Sequence, residues 1–176
     1  MPRTEKVEFT NMCMVYQGDK VLVQDKISDS WGGLTFPGGH VEANEDFTDA
    51  VIREVYEETG LKISCPRLCG IKDWYNKDGS RYVVLFYKTD KFSGSIKYSD
   101  EGAIFWLTLD EFSKGKLANG MDEMLRVFLD DDISEMCYHI IRRTDNGFPC
   151  LNRKECFYAV FACIRKGTER KRNRTA

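Results

Sequence analysis

Residues 39–61 read GHVEANEDFTDAVIREVYEETGL. In a helix, Glu54, Glu57 and Glu58 of this stretch would share one face, because they are spaced at i, i+3 and i+4. A helical wheel at about 100° per residue also places Glu54 and Glu58 among the apolar residues that would face a core. Clustered carboxylates repel one another and are penalised by burial unless a cation compensates them. The pattern therefore favours a site for Mg²⁺ or Mn²⁺, which prefer hard oxygen ligands, over a solvated acidic face.

The spacing of the whole stretch is more specific than its charge. It consists of Gly39, five residues, Glu45, seven residues, and then the run REVYEETGL at 53–61. This pattern resembles the Nudix box, and the chain is similar to Nudix hydrolases of the MutT-type (8-oxo-dGTP diphosphatase-like) branch. The run FPGGH at 36–40 and the later run SDE at 99–101, followed by Trp106, also resemble that family. The resemblance extends from about Asn11 to about Phe128.

Apolar periodicity and turn residues predict strands mixed with two separated helices. Strands are expected at residues 12–16, 21–24, 67–75, 81–88 and 103–107, the two helices at 45–59 and 119–129, and a short helical turn from 109. Asn44 is the expected N-cap of the first helix, and Gly60 is its expected stop. Residues 156–164 are apolar enough for a strand or a helix. The resemblance implies an α/β fold, the Nudix-type α/β/α sandwich with a mixed β-sheet.

Three segments are predicted along the chain. Residues 1–135 form the expected Nudix hydrolase domain, 136–163 form a C-terminal segment without a readable pattern, and 164–176 form a basic tail. The tail carries six basic residues and one acidic residue. A solvated, disordered tail is favoured over a contact with nucleic acid.

The resemblance implies a set of catalytic groups. The metal ligands would be the side chains of Glu54, Glu57 and Glu58 and the carbonyl group of Gly39. Arg53 is expected to pair with Glu45 or with a glutamate of the box, and a surface arginine is the alternative. Glu101 would bind metal or act as the general base, although a solvated acid is an equal alternative.

Substrate selection is expected outside the box. The candidate substrate-binding residues are Asn11, Phe36, Trp74, Tyr75 and Asn119. An aromatic ring could stack on a base and an asparagine amide could pair with a purine edge, whereas core packing is the alternative for each aromatic residue. His40 is expected to be structural or to contact phosphate.

The resemblance implies metal-dependent hydrolysis of a nucleoside diphosphate linked to another group. The preferred substrates are oxidised purine nucleoside triphosphates such as 8-oxo-dGTP, cleaved to the monophosphate and pyrophosphate. The alternatives are ADP-ribose, dinucleoside polyphosphates, RNA 5′ ends, or a nucleotide-binding module without activity. The expected partner is therefore a small nucleotide.

Composition is ordinary for a globular domain, with 42 % hydrophobic and 31 % charged residues and a net charge of −2. No apolar run is long enough to cross a membrane, and residues 1–6 show no signal-peptide pattern, so a cytoplasmic location is expected. The cysteines are odd in number, seven, and contain no CxxC pair. Reduced thiols are therefore expected rather than a disulfide framework.

Overall fold

The computed structural model describes residues 3–29, 31–97, 102–141 and 156–163, with the backbone alone for 138–141 and 156–163. Ten strands and three helices form in this part of the chain. The strands are β1 (Val7–Gln17), β2 (Lys20–Lys26), β3 (Gly33–Thr35), β4 (Leu61–Ile63), β5 (Arg67–Tyr75), β6 (Arg81–Thr89), β7 (Phe92–Gly94), β8 (Gly102–Thr108), β9 (Ile133–Ile141) and β10 (Cys156–Cys163). The helices are α1 (Phe47–Thr59), α2 (Leu109–Lys114) and α3 (Met121–Leu129). None of the described helices is long and apolar enough to cross a membrane.

The main sheet is mixed. Its strand order is β10-β9-β5-β6-β1-β2-β3, with β8 also paired to β2. β1 pairs with β6 in parallel, as does β5 with β9, whereas the other pairings in this sheet are antiparallel. β4 and β7 form a separate two-stranded sheet.

Two hydrophobic layers cover the two faces of the sheet. Because side chains alternate along a strand, β1 sends Met12 and Met14 into one layer and Cys13 and Val15 into the other. The first layer contains the buried residues of α2 and α3, and the second contains Val51 and Val55 of α1. Helices therefore pack on both sides of one sheet, and the predicted α/β/α sandwich is confirmed.

The predicted start of the first helix is two residues too early. Helix α1 begins at Phe47 with Asp46 as its N-cap, and no side chain caps it. Asn44 has a φ of 64°, in the left-handed region, and cannot serve as the extended N-cap residue that was predicted. Glu45 instead belongs to a turn, in which its side chain accepts a hydrogen bond from the backbone N–H of Glu42 at 3.0 Å. The predicted stop is confirmed, because Gly60 ends the helix with a φ of 76°.

The hairpins follow the predicted pattern. β1 and β2 pair antiparallel at Tyr16–Val21, and β5 and β6 pair from Arg67–Lys88 to Tyr75–Arg81 around the Asp-Gly turn. The second predicted helix begins at Met121 rather than at Asn119, because Gly120 adopts a left-handed conformation at the helix start.

The C-terminal segment adds strands to the sheet. β9 lies parallel to β5, and β10 pairs antiparallel with β9 at the edge. Residues 156–163 are therefore a strand, which resolves the choice between strand and helix. β9 spans the boundary proposed at residue 135, and the basic tail at 164–176 lies outside the described residues. Cys13, Cys65, Cys69 and Cys137, the cysteines whose side chains are described, are free thiols.

Candidate functional site

A gap between two neighbouring strands forms the base of the site. β1 and β2 pair only at Tyr16–Val21 and Gln17–Lys20. Nearer the N-terminal end of β1, residues 36–39 lie beside the strand instead of β2. The backbone N–H of Asn11 donates to the carbonyl oxygen of Gly39 at 2.8 Å, and that of Cys13 donates to Pro37 at 2.8 Å. The separation of the strands therefore opens a cavity beside the loop that precedes α1.

Gly38 lies against the backbone of β1. Its φ is 151°, and a Cβ atom at this position would stand 2.7 Å from the Cα atom of Met12 and still closer to the carbonyl oxygen of Asn11. Only glycine tolerates both this conformation and this approach. The Gly38 N–H donates to Oε2 of Glu58 at 2.8 Å, and Nζ of Lys26 lies 3.9 Å from Oε1 of the same carboxylate. The loop thus holds the carboxylate of Glu58, whose side chain is 6 % exposed.

Arg53 connects the acidic side chains of the box. Its guanidinium group donates to both carboxylate oxygens of Glu45, at 2.7 and 2.8 Å, and its Nη1 donates to Glu54 at 2.9 Å and to Glu57 at 3.0 Å. Hydrogen bonding by Arg53 is the main cause that lowers the pKa of Glu45 to about 2. The predicted pairing of Arg53 with Glu45 is present, and the same guanidinium group also compensates two glutamates of the helix.

The donor chemistry of this cluster fits a hard divalent cation. Carboxylate oxygens and a backbone carbonyl are the ligands that Mg²⁺ and Mn²⁺ prefer. The carboxyl carbon of Glu54 lies 2.6 Å from where a Cβ atom on residue 39 would stand, so glycine brings this acid against the loop backbone. Within the described part of the chain, no three His, Cys, Asp or Glu side chains converge on one point. Arg53 lies between Glu54 and Glu57, whereas Glu58 turns toward Gly38.

The cavity beside this cluster has a volume of about 830 Å³. Its walls come from β1, β2, β5, β6, residues 35–40 and the start of α3. Polar and charged side chains in the lining include Glu8, Thr10, Asn11, Gln24, Lys26, Thr35, His40, Lys72, Asn76, Asn119 and Glu123, and the aromatic ones are Trp31, Phe36, Trp74 and Tyr82. The predicted substrate residues Asn11, Phe36, Trp74 and Asn119 therefore border one cavity, together with Gly38 and Gly39.

Two amide side chains in the cavity wall have buried polar atoms without hydrogen-bond partners in the described part of the chain. Asn11 is 3 % exposed and Gln24 is 1 % exposed. Neither Nδ2 nor Oδ1 of Asn11, nor Nε2 of Gln24, has a partner among the described residues. A buried polar group without a hydrogen bond destabilises the folded chain. A bound ligand with complementary polar atoms would relieve this unfavourable burial.

The aromatic candidates have different environments. Trp74 stacks on Tyr82 with ring centroids 4.4 Å apart. Phe36 packs in the core, 4.9 Å from the Phe112 ring and 5.1 Å from the Phe128 ring. Tyr75 does not line the cavity; its hydroxyl is bonded by Arg81, which also lies over its ring. Only Trp74 among the three predicted rings combines a cavity position with a partly exposed surface.

Lys72 is a charged side chain in the same wall. It is 7 % exposed, and its Nζ lies 5.1 Å from the Trp74 ring centroid and 3.5 Å from Sδ of Met124. Burial lowers the pKa of Lys72 to about 8, although nearby Glu123 opposes the shift. Hydrogen bonding with Asp122, followed by burial, raises the pKa of Glu123. One carboxylate oxygen of Glu123, Oε2, is buried without a partner among the described residues.

The lowered pKa predicts how stability depends on pH. Lys72 is protonated in the unfolded chain up to about pH 10.5 but in the folded chain only up to about pH 8. Burying its charge therefore destabilises the fold below pH 8, and this penalty disappears as the pH rises from 8 to 10.5. We expect Lys72→Met to be more stable than the wild type at pH 7, with the difference narrowing by at most about 3 kcal/mol up to pH 10.5. Urea unfolding at several pH values measures this difference, and a constant difference would contradict the shift.

Several lining residues were not anticipated. Gln24, Lys26, Trp31, Lys72 and Glu123 all border the cavity. Among them, only Gln24 is marked in the sequence, as a polar residue that follows the apolar run 21–23 in a predicted strand. In the sequence, Lys72 and Glu123 resemble ordinary surface residues, because only the fold brings β5 and α3 together.

The remaining predicted residues lie at the rim or outside the described part. Asn119 is exposed, and its carbonyl oxygen accepts a hydrogen bond from Nε1 of Trp31 at 2.9 Å. His40 lies 2.9 Å from the carboxylate of Glu8. Glu101 lies outside the described residues, so its role as metal ligand or general base stays a prediction.

Known proteins resemble this chain in sequence. A model of the NUDIX domain matches residues 10–128. The chain is 32 % identical over 118 residues to the uncharacterized Nudix hydrolase YvcI of Bacillus subtilis, covering 64 % of this chain and 73 % of YvcI. It is 39 % identical over 88 residues to an 8-oxo-dGTP diphosphatase of Buchnera aphidicola (48 % of this chain, 61 % of that protein). It is 32 % identical over 82 residues to an ADP-ribose pyrophosphatase of Methanocaldococcus jannaschii (46 % and 48 %).

The fold has a counterpart among solved structures. The crystal structure of a MutT protein from Bacillus halodurans aligns with a TM-score of 0.64 and 28 % sequence identity, covering 76 % of this chain and 90 % of that protein. The family match includes the box and all but one of the residues that line the cavity. The chain belongs to the Nudix family, and it is a MutT-type Nudix pyrophosphohydrolase.

Proposed function

We propose that this enzyme cleaves a phosphoanhydride bond of oxidised purine nucleoside triphosphates such as 8-oxo-dGTP, releasing the monophosphate and pyrophosphate. The observation that carries the proposal is the continuity of the cavity. Gly38 and Gly39, which lie next to the acidic helix, border the same cavity as the Trp74–Tyr82 stack. Such a cavity would accommodate phosphates beside the two glycines and a base beside the Trp74 ring.

The size and lining of the cavity support a nucleotide. Its volume of about 830 Å³ lies within the range of about 300–1,000 Å³ typical of small-molecule sites. Trp74 offers a ring for stacking, which stabilises a base by about 1–3 kcal/mol. The unpaired amide of Asn11 provides both donors and an acceptor for a polar edge.

The acidic helix supplies the metal-binding part of the proposal. Held by Glu54, Glu57, Glu58 and the carbonyl group of Gly39, Mg²⁺ or Mn²⁺ would supply charge neutralisation at the phosphate oxygens and a more acidic water molecule. These glutamates are therefore proposed as metal ligands, and Glu101 is proposed as a further metal ligand or as the general base.

The other residues of the cluster position these groups. Arg53 orients the carboxylates of Glu54 and Glu57 through its hydrogen bonds. The N–H of Gly38 orients the carboxylate of Glu58. Lys26 lines the cavity near Glu58 and brings a positive charge close to the glycines beside which phosphate is proposed to bind.

A substrate panel tests this function. We expect Mg²⁺-dependent hydrolysis of 8-oxo-dGTP with a kcat/KM at least about 10-fold above those for ADP-ribose and diadenosine polyphosphates, because the aromatic and polar walls would bind the base of a triphosphate. The measurement is product release from each substrate at equal concentrations, with dGTP and dATP as controls for the base.

Other outcomes would contradict the proposal in distinguishable ways. Preferred cleavage of ADP-ribose would change the proposed substrate class but not the assignment of the protein as a hydrolase. Binding without turnover of any nucleotide would indicate a nucleotide-binding module. Preferred cleavage of triphosphorylated RNA, lost on deletion of residues 164–176, would indicate an enzyme of RNA 5′ ends.

A further inference from the structure

The polar atoms of the cavity wall do not form a random mixture. Lys72 contributes a donor, Gln24 contributes a buried donor at Nε2, and Glu123 contributes a buried acceptor at Oε2. Asn11 contributes both kinds of atom. A ligand complementary to these four side chains would carry acceptor atoms and at least one N–H group for Glu123.

Lys72 and Glu123 both line the cavity, and Lys72 lies beside the ring that is proposed to stack on a base. Lys72 neighbours Trp74 along β5 and lies 5.1 Å from its ring centroid. Met124, the residue after Glu123 on α3, lies 3.5 Å from the ammonium nitrogen. An ammonium group and a carboxylate therefore border the same cavity, and the electrostatic interaction between Lys72 and Glu123 also reflects their proximity.

We infer that Lys72 and Glu123 are specificity-determining residues that select a base carrying a carbonyl oxygen next to an N–H group. The ammonium group of Lys72 donates to the carbonyl oxygen, and Glu123 accepts from the neighbouring N–H. Guanine and 8-oxoguanine present such an edge, whereas adenine has no oxygen and presents an amino group next to ring nitrogens. This inference rests on the proposed function, and it excludes adenine nucleotides as the preferred substrates of the site.

The contrast between the two kinds of base is expected to be large. A site that hydrogen-bonds a substrate group discriminates against analogues that lack this group, because the analogue cannot form that hydrogen bond. Lys72 would be left facing the amino group of adenine, which offers no oxygen acceptor. The ammonium and carboxylate groups thus act by rejecting adenine as well as by binding oxopurines.

Binding of monophosphates tests the inference without requiring turnover. Calorimetry with 8-oxo-dGMP, dGMP and dAMP is expected to show tighter binding of the two oxopurines by the wild type. Lys72→Met should weaken binding of both oxopurines by about 10- to 100-fold and leave dAMP within about threefold. Glu123→Gln should also weaken the binding of both oxopurine monophosphates. Lys91→Met, at an exposed lysine that does not line the cavity, is the matched control and should not change any of the three.

The possible outcomes separate this inference from the proposed function. Equal binding of dAMP and the oxopurines by the wild type, or an equal loss for all three ligands in Lys72→Met, would overturn the selection of the base; the latter would assign Lys72 to phosphate binding. If the wild type binds the oxopurine monophosphates selectively but does not hydrolyse triphosphates, only the proposed function would be overturned. Thermal unfolding checks that Lys72→Met folds, and Glu123→Gln provides the second variant if it does not.

Discussion

Replacing Glu57 or Glu58 with glutamine is expected to lower the rate of nucleotide hydrolysis by about 10²-fold or more. Each change removes a negatively charged oxygen from the proposed metal site but preserves the shape of the side chain, and loss of a metal-site interaction costs on this scale. Glu57 is 55 % exposed, so its replacement should alter the free energy of unfolding by only about 0.5 kcal/mol. The measurement is turnover at saturating Mg²⁺, together with the Mn²⁺ affinity of each variant.

The matched control lies on the same helix. Asp49 is an exposed acid in the first turn of α1, and Asp49→Asn should leave turnover within about twofold. Wild-type rates in both glutamine variants would refute the assignment of metal ligands. A loss of activity with unchanged Mn²⁺ affinity would instead assign Glu57 and Glu58 to another catalytic role.

Replacing Gly38 with alanine is expected to destabilise the fold by about 3 kcal/mol or more. The new methyl group would overlap the backbone of β1 at Asn11 and Met12, and a φ of 151° is unfavourable for any residue with a Cβ atom. Relief of the overlap requires residues 36–39 to move away from β1, which breaks the hydrogen bond from Gly38 to Glu58. Activity should therefore fall together with stability, as measured by urea unfolding and by turnover below the unfolding transition.

Gly18 provides the control for the conformational part of this effect. Its φ is 62°, but a Cβ atom at this position would meet no neighbour within 4 Å. Gly18→Ala should therefore cost only about 1–2 kcal/mol, the penalty of a left-handed residue, and should preserve turnover. Equal destabilisation by the two alanines would show that the close approach to β1 is unimportant.

Local patterns were sufficient for several elements of this protein. The hairpin of β5 and β6 was predictable from alternating residues around an Asp-Gly turn, and the end of α1 from Gly60. The resemblance to the Nudix box implied that Arg53 pairs with Glu45 or with a glutamate of the box, and Arg53 bonds to both. These features depend on residues close in sequence, or on one motif that has kept its spacing.

Contacts between distant segments decided the rest. The start of α1 shifted because Glu45 is held by Arg53 and the backbone of Glu42, and not by helix capping. β9 could be placed only through its pairing with β5, about sixty residues earlier in the chain. The start of α1 and the position of β9 depend on packing and hydrogen bonds summed over distant segments. No short window of sequence contains this sum.

The site itself divides in the same way. The sequence alone determined the acidic helix, the glycines before it and the family of the chain, because helical spacing and backbone freedom are properties of single residues and short repeats. Only the tertiary structure brought Gln24, Lys72 and Glu123 to one cavity. Burial converts an ordinary amide, lysine and glutamate into potential recognition groups, and burial is a property of the whole fold.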